Sequence, residues 1–85
     1  PSLVVGYKNL GDVFYRRGAL DESLQQYNRA LELHPDLGDD TFAKLGNIFY
    51  PRGERAEAMR FWNRALDLNP GNQVVRNNLE IAQDV

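Results

Sequence analysis

The fold is decided by the stretch YKNLGDVFYRRGALDESLQQYNRALELHP at residues 7–35, because the chain repeats it as FAKLGNIFYPRGERAEAMRFWNRALDLNP at residues 42–70. The two stretches are offset by 35 residues, and 13 of their 29 paired residues are identical. A period of about 20–50 residues is typical of repeat architectures, in which each repeat is one supersecondary structure. The sequence therefore predicts one structural part that is used twice.

Each repeat has the pattern of two helices joined by a glycine turn. In the first repeat, Tyr7, Leu10 and Phe14 recur at helical spacing and form one apolar face. Gly18 supplies a left-handed residue to end this helix, and Pro35 stops the second helix. The second repeat shows the same pattern, and no segment alternates as a strand would. The spacing therefore predicts an all-α fold built from antiparallel helix pairs.

Small and large residues share the predicted contact between the two helices of a repeat. Gly11 and Ala30 would let the helices approach closely, and Phe14 and Tyr27 would fill the space beside them. Trp62 takes the place of Tyr27 in the second repeat. We therefore interpret these aromatic residues as core packing and not as a cofactor site.

The spaced residues aromatic-x-x-Leu-Gly-x-x-Phe, followed by Gly, an aromatic residue, Ala and Pro, resemble the tetratricopeptide repeat (TPR). The resemblance covers about residues 4–37 and 39–72, with Gly38 as one residue more than the roughly 34 of the family repeat. It implies a single TPR domain over residues 1–85. The implied fold is all-α, with antiparallel helix-turn-helix repeats stacked as a short right-handed α-solenoid of about five helices.

The segment after the second repeat, NQVVRNNLEIAQDV at residues 72–85, predicts a capping helix over about residues 73–84. Asn72 is a suitable N-cap. Val75 and Leu79 would face the preceding repeat, whereas the face that a partner helix would need is polar. Terminal repeats require such a polar outer face for solubility, so we expect the array to end with this helix.

The first predicted helix carries an apolar stripe formed by Leu3, Leu10 and Val13. No other segment is expected to cover this stripe, which suggests either an upstream repeat or association with a second copy of the chain. Because the first residue is Pro1 and not Met, we expect the chain to be a piece of a longer protein. A homo-oligomer formed through this stripe is therefore the alternative to a peptide-binding role.

Composition argues against several classes of partner. The formal net charge is −2, whereas nucleic-acid binders usually carry a basic face. No apolar run approaches the roughly 18–20 residues that cross a bilayer. The chain has no cysteine, which removes disulfides and thiolate chemistry but does not fix the compartment. We expect a protein or peptide partner, with neither nucleic acid nor a membrane.

Candidate catalytic groups are sparse. The one histidine, His34, falls in the last turn of a predicted helix, where a partly cationic imidazole suits the helix dipole. The only serines are Ser2 and Ser23, and no nucleophile–histidine–acid set can be assembled from them. We therefore predict a protein that is not an enzyme and that has no cofactor.

Three carboxylates cluster in DLGDDT at residues 36–41. A calcium loop needs more oxygen ligands at a defined spacing than this segment offers. We therefore interpret Asp39 and Asp40 as N-capping residues and as dipole support for the helix that starts near them, and we predict no metal site.

In TPR proteins the first helices of the repeats line a concave groove that binds peptides or partner helices. The groove positions that the resemblance implies here include Val5, Asn9, Asp40, Ala43, Val74 and Ile81. The candidate partner-binding residues among these positions are Lys8, Asp12, Tyr15, Arg16, Lys44, Asn47, Tyr50, Asn77 and Asn78. One subclass clamps a peptide's terminal carboxylate with lysine, asparagine and arginine. This chain keeps Lys8 but has Asp12 and Lys44 in place of the two asparagines, so we expect that clamp to be broken.

The two repeats differ most visibly at Pro51, which takes the place of Arg16. Proline cannot donate to the carbonyl of Asn47, and it should push Tyr50 away from helical dihedral angles. We therefore expect the helix to end, or to kink, near residues 49–50. Pro51 is either a tolerated early stop or a means of leaving the Asn47 carbonyl to a ligand or neighbour.

Overall fold

The computed structural model describes residues 2–83, which contain five α-helices and no strand. The α-helices are α1 (Leu3–Arg16), α2 (Leu20–Leu33), α3 (Asp39–Phe49), α4 (Arg55–Leu68) and α5 (Gln73–Gln83). A 3₁₀ helix, Tyr50–Arg52, directly follows α3. The predicted all-α class with helix-turn-helix repeats is confirmed.

The helices belong to two compact units, a first unit of residues 1–37 and a second unit of residues 38–85. In the first unit α1 packs against α2, and in the second unit α3 packs against α4, which also contacts α5. Helices α2 and α4 each have 14 residues and are offset by the 35 residues of the sequence repeat. The sequence repeat is therefore also a repeat of local structure.

The turn between the paired helices is built in the same way in both units. Gly18 and Gly53 have φ angles of 78° and 81°, in the left-handed region that favours glycine. The residue after each glycine donates its backbone N–H to the carbonyl of Phe14 or Phe49, at 2.9 and 3.2 Å. These bonds satisfy carbonyls that the end of a helix leaves without a partner in the helix, so the predicted glycine stop is confirmed.

Pro51 shortens the α-helix as the sequence predicts, because α3 ends at Phe49. The expectation for Tyr50 was wrong: this residue keeps helical dihedral angles, with φ −61° and ψ −49°. The chain continues as a 3₁₀ turn with Pro51 near its start, where the fixed φ of proline fits and its missing N–H costs no bond within the turn. The proline therefore tightens the end of the helix without redirecting the residue before it.

The start of α3 differs from the predicted cap. Gly38 is the N-cap, with φ 89°, and no side chain makes a capping hydrogen bond there, so the prediction that Asp39 or Asp40 caps the helix was wrong. Both carboxylates lie in the first turn, where they favour the helix dipole. The Asp39 carboxylate accepts hydrogen bonds from Asn69 Nδ2 at 3.0 Å and from Asn72 Nδ2 at 3.4 Å. It thus ties the start of α3 to the turn between α4 and α5.

The cap of α5 is confirmed, because Asn72 Oδ1 accepts a hydrogen bond from the N–H of Val75 at 3.2 Å. Val75, Leu79 and Ala82 are buried, and the polar side of α5 is exposed. The predicted end of this helix, Asp84, lies outside the described residues. The role of α5 as the last element of the array stays a prediction.

A glycine lies beneath the large ring at the centre of each unit. A Cβ atom on Gly11 would come within 2.5 Å of Tyr27 Cδ1, and one on Gly46 would come within 2.7 Å of Trp62 Cε2. Both distances are shorter than real Cβ contacts allow. Ser23 Oγ also donates to the Gly11 carbonyl at 2.8 Å. The predicted close approach of small and aromatic residues is therefore present in both units.

Candidate partner-binding pocket

The second unit contains a pocket of about 260 Å³, which we name the amide pocket. It is lined by Asn47 of α3, Tyr50 and Pro51 of the 3₁₀ helix, Trp62 of α4, and Asn78 and Ile81 of α5. Four of these residues (Asn47, Tyr50, Asn78 and Ile81) belong to the groove positions that the TPR resemblance implies. The pocket therefore joins side chains from four consecutive elements of one unit.

Trp62 forms the inner wall of the amide pocket. Its ring lies on Gly46, and its Nε1–H donates to the carbonyl of Ala43 at 3.2 Å, which fixes the orientation of the indole. The Tyr50 ring lies 5.5 Å from the Trp62 ring, measured between centroids, at an angle of 38°. The two rings support each other at one side of the pocket.

Two amide side chains form the polar edge of the amide pocket. Asn78 Nδ2 donates to Asn47 Oδ1 at 3.4 Å, a long bond that links α5 to α3. Both asparagines are half-buried, whereas Ile81 is 61 % exposed. None of the six lining residues carries a charge at neutral pH. The pocket therefore combines apolar walls with groups that can both donate and accept hydrogen bonds.

The first unit uses the equivalent positions differently. The Tyr27 hydroxyl donates to the carboxylate of Asp12, which the sequence prediction had assigned to the groove. Burial raises the pKa of Tyr27 far above its ordinary value, and the hydrogen bond to Asp12 raises it further. Asp12 and Tyr27 are replaced together by Asn47 and Trp62 in the second repeat. That paired change is the sequence signal from which the hydrogen bond could have been inferred.

The family model of the tetratricopeptide repeat matches residues 4–37. The matched residues contain α1 and α2, and the second unit has a helix pair with the same spacing of residues. This match and the five-helix fold together support a TPR-type protein. Tetratricopeptide repeats generally mediate protein–protein interaction and are not themselves enzymatic. A comparison with curated proteins found no match.

The other predicted groove residues of the second unit lie outside the amide pocket. Lys44 is half-buried, and Asn77 is exposed and accepts a hydrogen bond from Gln73 Nε2 at 3.0 Å. Val74 is also exposed. The pocket thus contains Asn78 but not its neighbour Asn77, which makes the pair useful for matched substitutions.

The first TPR unit contains a pocket of about 310 Å³ that includes two of its predicted groove residues. Lys8 and Val5 line this pocket with residues at and after the end of α2, including His34. Tyr15 is half-buried, Arg16 is exposed, and neither lines that pocket. The lining differs from that of the amide pocket because it includes the charged residues Lys8 and Asp36.

His34 is the C-cap residue of α2, at the helix end where the sequence predicts it. Its Nδ1 accepts a hydrogen bond from the backbone N–H of Asp36 at 3.1 Å. This bond ties the imidazole to the turn that follows α2.

The predicted self-association stripe lies on α1 of the first TPR unit. Leu3 is 71 % exposed, Leu10 is 47 % exposed and Val13 is half-buried. Among residues 2–83, no helix is long and apolar enough to cross a membrane, and no group of three or more metal-binding side chains is present. The stripe on α1 is therefore a feature of the described surface that a partner could contact, in addition to the amide pocket.

Proposed function

We propose that the chain is a protein–protein interaction module that binds a peptide or partner segment through residues of its first helices, with the amide pocket as the principal contact. The observation that supports this proposal is the convergence of Asn47, Tyr50 and Asn78 on one pocket with apolar walls. Binding sites are commonly concave and mostly apolar, with a few polar groups that fix the orientation of the ligand.

The chemistry of the pocket suits a polypeptide. An asparagine side chain offers the same donor and acceptor types as a peptide bond, so it can pair with the backbone of an extended segment. Aromatic residues such as Tyr50 and Trp62 dominate the binding energy of many interfaces. The proposal involves no chemical step, since the described residues offer no nucleophile–base pair with which to perform one.

The test is capture of partners by the intact chain, followed by mass spectrometry. Because Tyr50 packs against Trp62, the pocket is better perturbed by Asn47→Ala and Ile81→Asn, which remove a polar and an apolar contact without opening the core. Asn77→Ala is the matched control, since Asn77 lies on α5 outside the pocket. We expect the partner to be lost from the double variant and retained by the control.

Circular dichroism must show that the double variant is folded. A partner captured equally well by the folded double variant and by the unaltered chain would contradict the proposal. A partner lost from the Asn77→Ala variant as well would place the contact on another part of α5, which also contradicts the role of the pocket.

Self-association is the second candidate, and the exposure of Leu3 and Leu10 favours it. Large apolar side chains that are exposed together are typical of interaction sites. Leu10→Asp should then convert oligomers into monomers, and Asn9→Asp, at an exposed neighbouring residue, should not. A sedimentation-velocity series that shows only monomer up to millimolar concentration would rule out this candidate.

A further inference from the structure

We infer that the amide pocket selects an uncharged apolar side chain of the partner, of the size of leucine, while its two asparagines pair with the backbone next to that side chain. The inference rests on the proposed function and specifies the chemistry of the ligand. It also states which ligands the pocket should reject, namely side chains that carry a charge of either sign.

The charge of the lining indicates which side chains the pocket excludes. The six lining residues are neutral, so a charged group that entered the pocket would lose its hydration without meeting an opposite charge. The charged residue that follows Pro51 is Arg52, whose guanidinium lies 3.5 Å from the Glu54 carboxylate. This cation therefore already has an anionic neighbour on the protein.

The volume and the walls of the pocket indicate the size and the apolar character of its ligand. Its volume of about 260 Å³ lies below the ~300–1,000 Å³ of sites for drug-sized ligands, so it suits one side chain and not a cofactor. The walls are the rings of Tyr50 and Trp62, the ring of Pro51 and the side chain of Ile81. Contact with these groups stabilises a ligand by removing apolar surface from water, which favours an aliphatic side chain.

The polar edge of the pocket indicates which part of a peptide would lie beside it. Asn47 and Asn78 lie side by side, joined by one hydrogen bond, and each amide can make more than one such bond. A peptide backbone presents a donor and an acceptor, which matches an amide pair. A terminal carboxylate presents only acceptors, and no cation lines the pocket to meet its charge.

Trp62 makes the inference directly testable, because it is the only tryptophan in the chain and it lines the pocket. The full chain labelled with ¹⁵N should show a single indole N–H resonance. We propose to titrate it with three probes, the N-acetyl N′-methylamides of leucine, aspartate and lysine. We expect the leucine probe to shift this resonance and to bind at least about tenfold more tightly than the charged probes.

A charge introduced into the lining should reverse the preference. Asn78→Asp places a carboxylate at the edge of the pocket, so it should weaken the leucine probe and strengthen the lysine probe. Asn77→Asp makes the same substitution one residue earlier on α5, outside the pocket, and should leave all three affinities unchanged within about twofold.

Each result decides the inference. It is overturned if the leucine probe leaves the indole resonance unmoved, if a charged probe binds as tightly as leucine, or if Asn77→Asp changes the selectivity as much as Asn78→Asp. The proposed function has a separate readout, since partner capture that depends on Asn47 and Ile81 can persist when the selectivity for leucine fails.

Discussion

In the first unit the central ring, Tyr27, donates its hydroxyl proton to the side chain of Asp12, whereas in the second unit Trp62 donates its indole proton to the backbone carbonyl of Ala43. The two rings occupy the same place in the repeat, but they use different acceptors. Asp12 is consequently part of the core contact, and its counterpart Asn47 lines a pocket. The position opposite the ring thus makes a core hydrogen bond in the first unit and lines a pocket in the second.

The glycine beneath each ring should show the largest effect on stability. We expect Gly46→Ala and Gly11→Ala each to lower the free energy of unfolding by up to about 3 kcal/mol, because the added Cβ would overlap the ring. Urea denaturation followed by circular dichroism measures the loss. Gly6→Ala is the control within α1: nothing lies within 4 Å of its Cβ position, so it should stabilise by about 0.5–1 kcal/mol.

Substitutions at the equivalent positions 12 and 47 should differ in their effects on stability and on partner binding. Asp12→Ala leaves the buried Tyr27 hydroxyl without its acceptor and should cost about 2 kcal/mol of unfolding free energy. Asn47→Ala at the equivalent position should cost less, about 0.5 kcal/mol, since it leaves no buried ring hydroxyl without an acceptor, yet it should weaken partner binding. Denaturation curves of both variants provide the measurement. Equal losses of stability in the two variants would contradict the proposal that Asp12 contributes to stability and Asn47 mainly to binding.

Alkaline pH should destabilise the fold through the first unit. Since the folded chain raises the pKa of Tyr27, the stabilisation from this group is complete below its unfolded value of about 10 and is lost as the pH rises above it. The expected slope is about 1.4 kcal/mol per pH unit above 10.

Tyr27→Phe isolates this dependence, because the other titrating groups are still present in the variant. The difference in urea midpoint between the variant and the unaltered chain should be smaller at pH 11 than at pH 8. A constant difference across this range would show that Tyr27 does not titrate differently in the folded chain.

Pro51 should have the smallest effect on stability. Pro51→Arg restores the residue of the first repeat and should change the unfolding free energy by less than about 0.5 kcal/mol, because the helix already ends at this turn. Amide exchange at residues 50–52 should report a more regular helix. The leucine probe should bind more weakly because one wall of the pocket is removed. A loss of more than about 1 kcal/mol would mean that the 3₁₀ turn stabilises the fold.

The helices could be predicted from the sequence because their signals are local. The repeat offset, the left-handed glycines at Gly18 and Gly53 and the prolines after the helices fix the pattern within a few residues of each boundary. The cap of α3 was missed because Gly38 and Asp39 are both acceptable at a helix start. The contact of Asp39 with Asn69, which occupies that carboxylate, spans 30 residues.

The pocket was predicted only in part, because some of its contacts join residues that are distant in the sequence. The resemblance indicated Asn47, Tyr50, Asn78 and Ile81, and the sequence placed Pro51 beside Asn47 and Tyr50, but nothing indicated that contacts of Trp62 would complete a pocket with them. Those contacts depend on the size of the indole and on the tightness of the turn, and neither follows from periodicity. The stack in which Phe61 lies between Phe42 and Phe49 was likewise not foreseen, since its first-repeat counterpart is a glutamine.

The acceptor used by Trp62 also bears on how the two repeats tolerate random mutation. A backbone carbonyl is present whatever side chain position 43 carries, so no single codon change there deletes it. The carboxylate that Tyr27 uses is lost by almost any codon change at position 12. In a saturation library, position 12 should therefore accept few replacements and position 47 many. The second repeat can therefore vary at position 47 with a smaller loss of stability than the first repeat suffers at position 12.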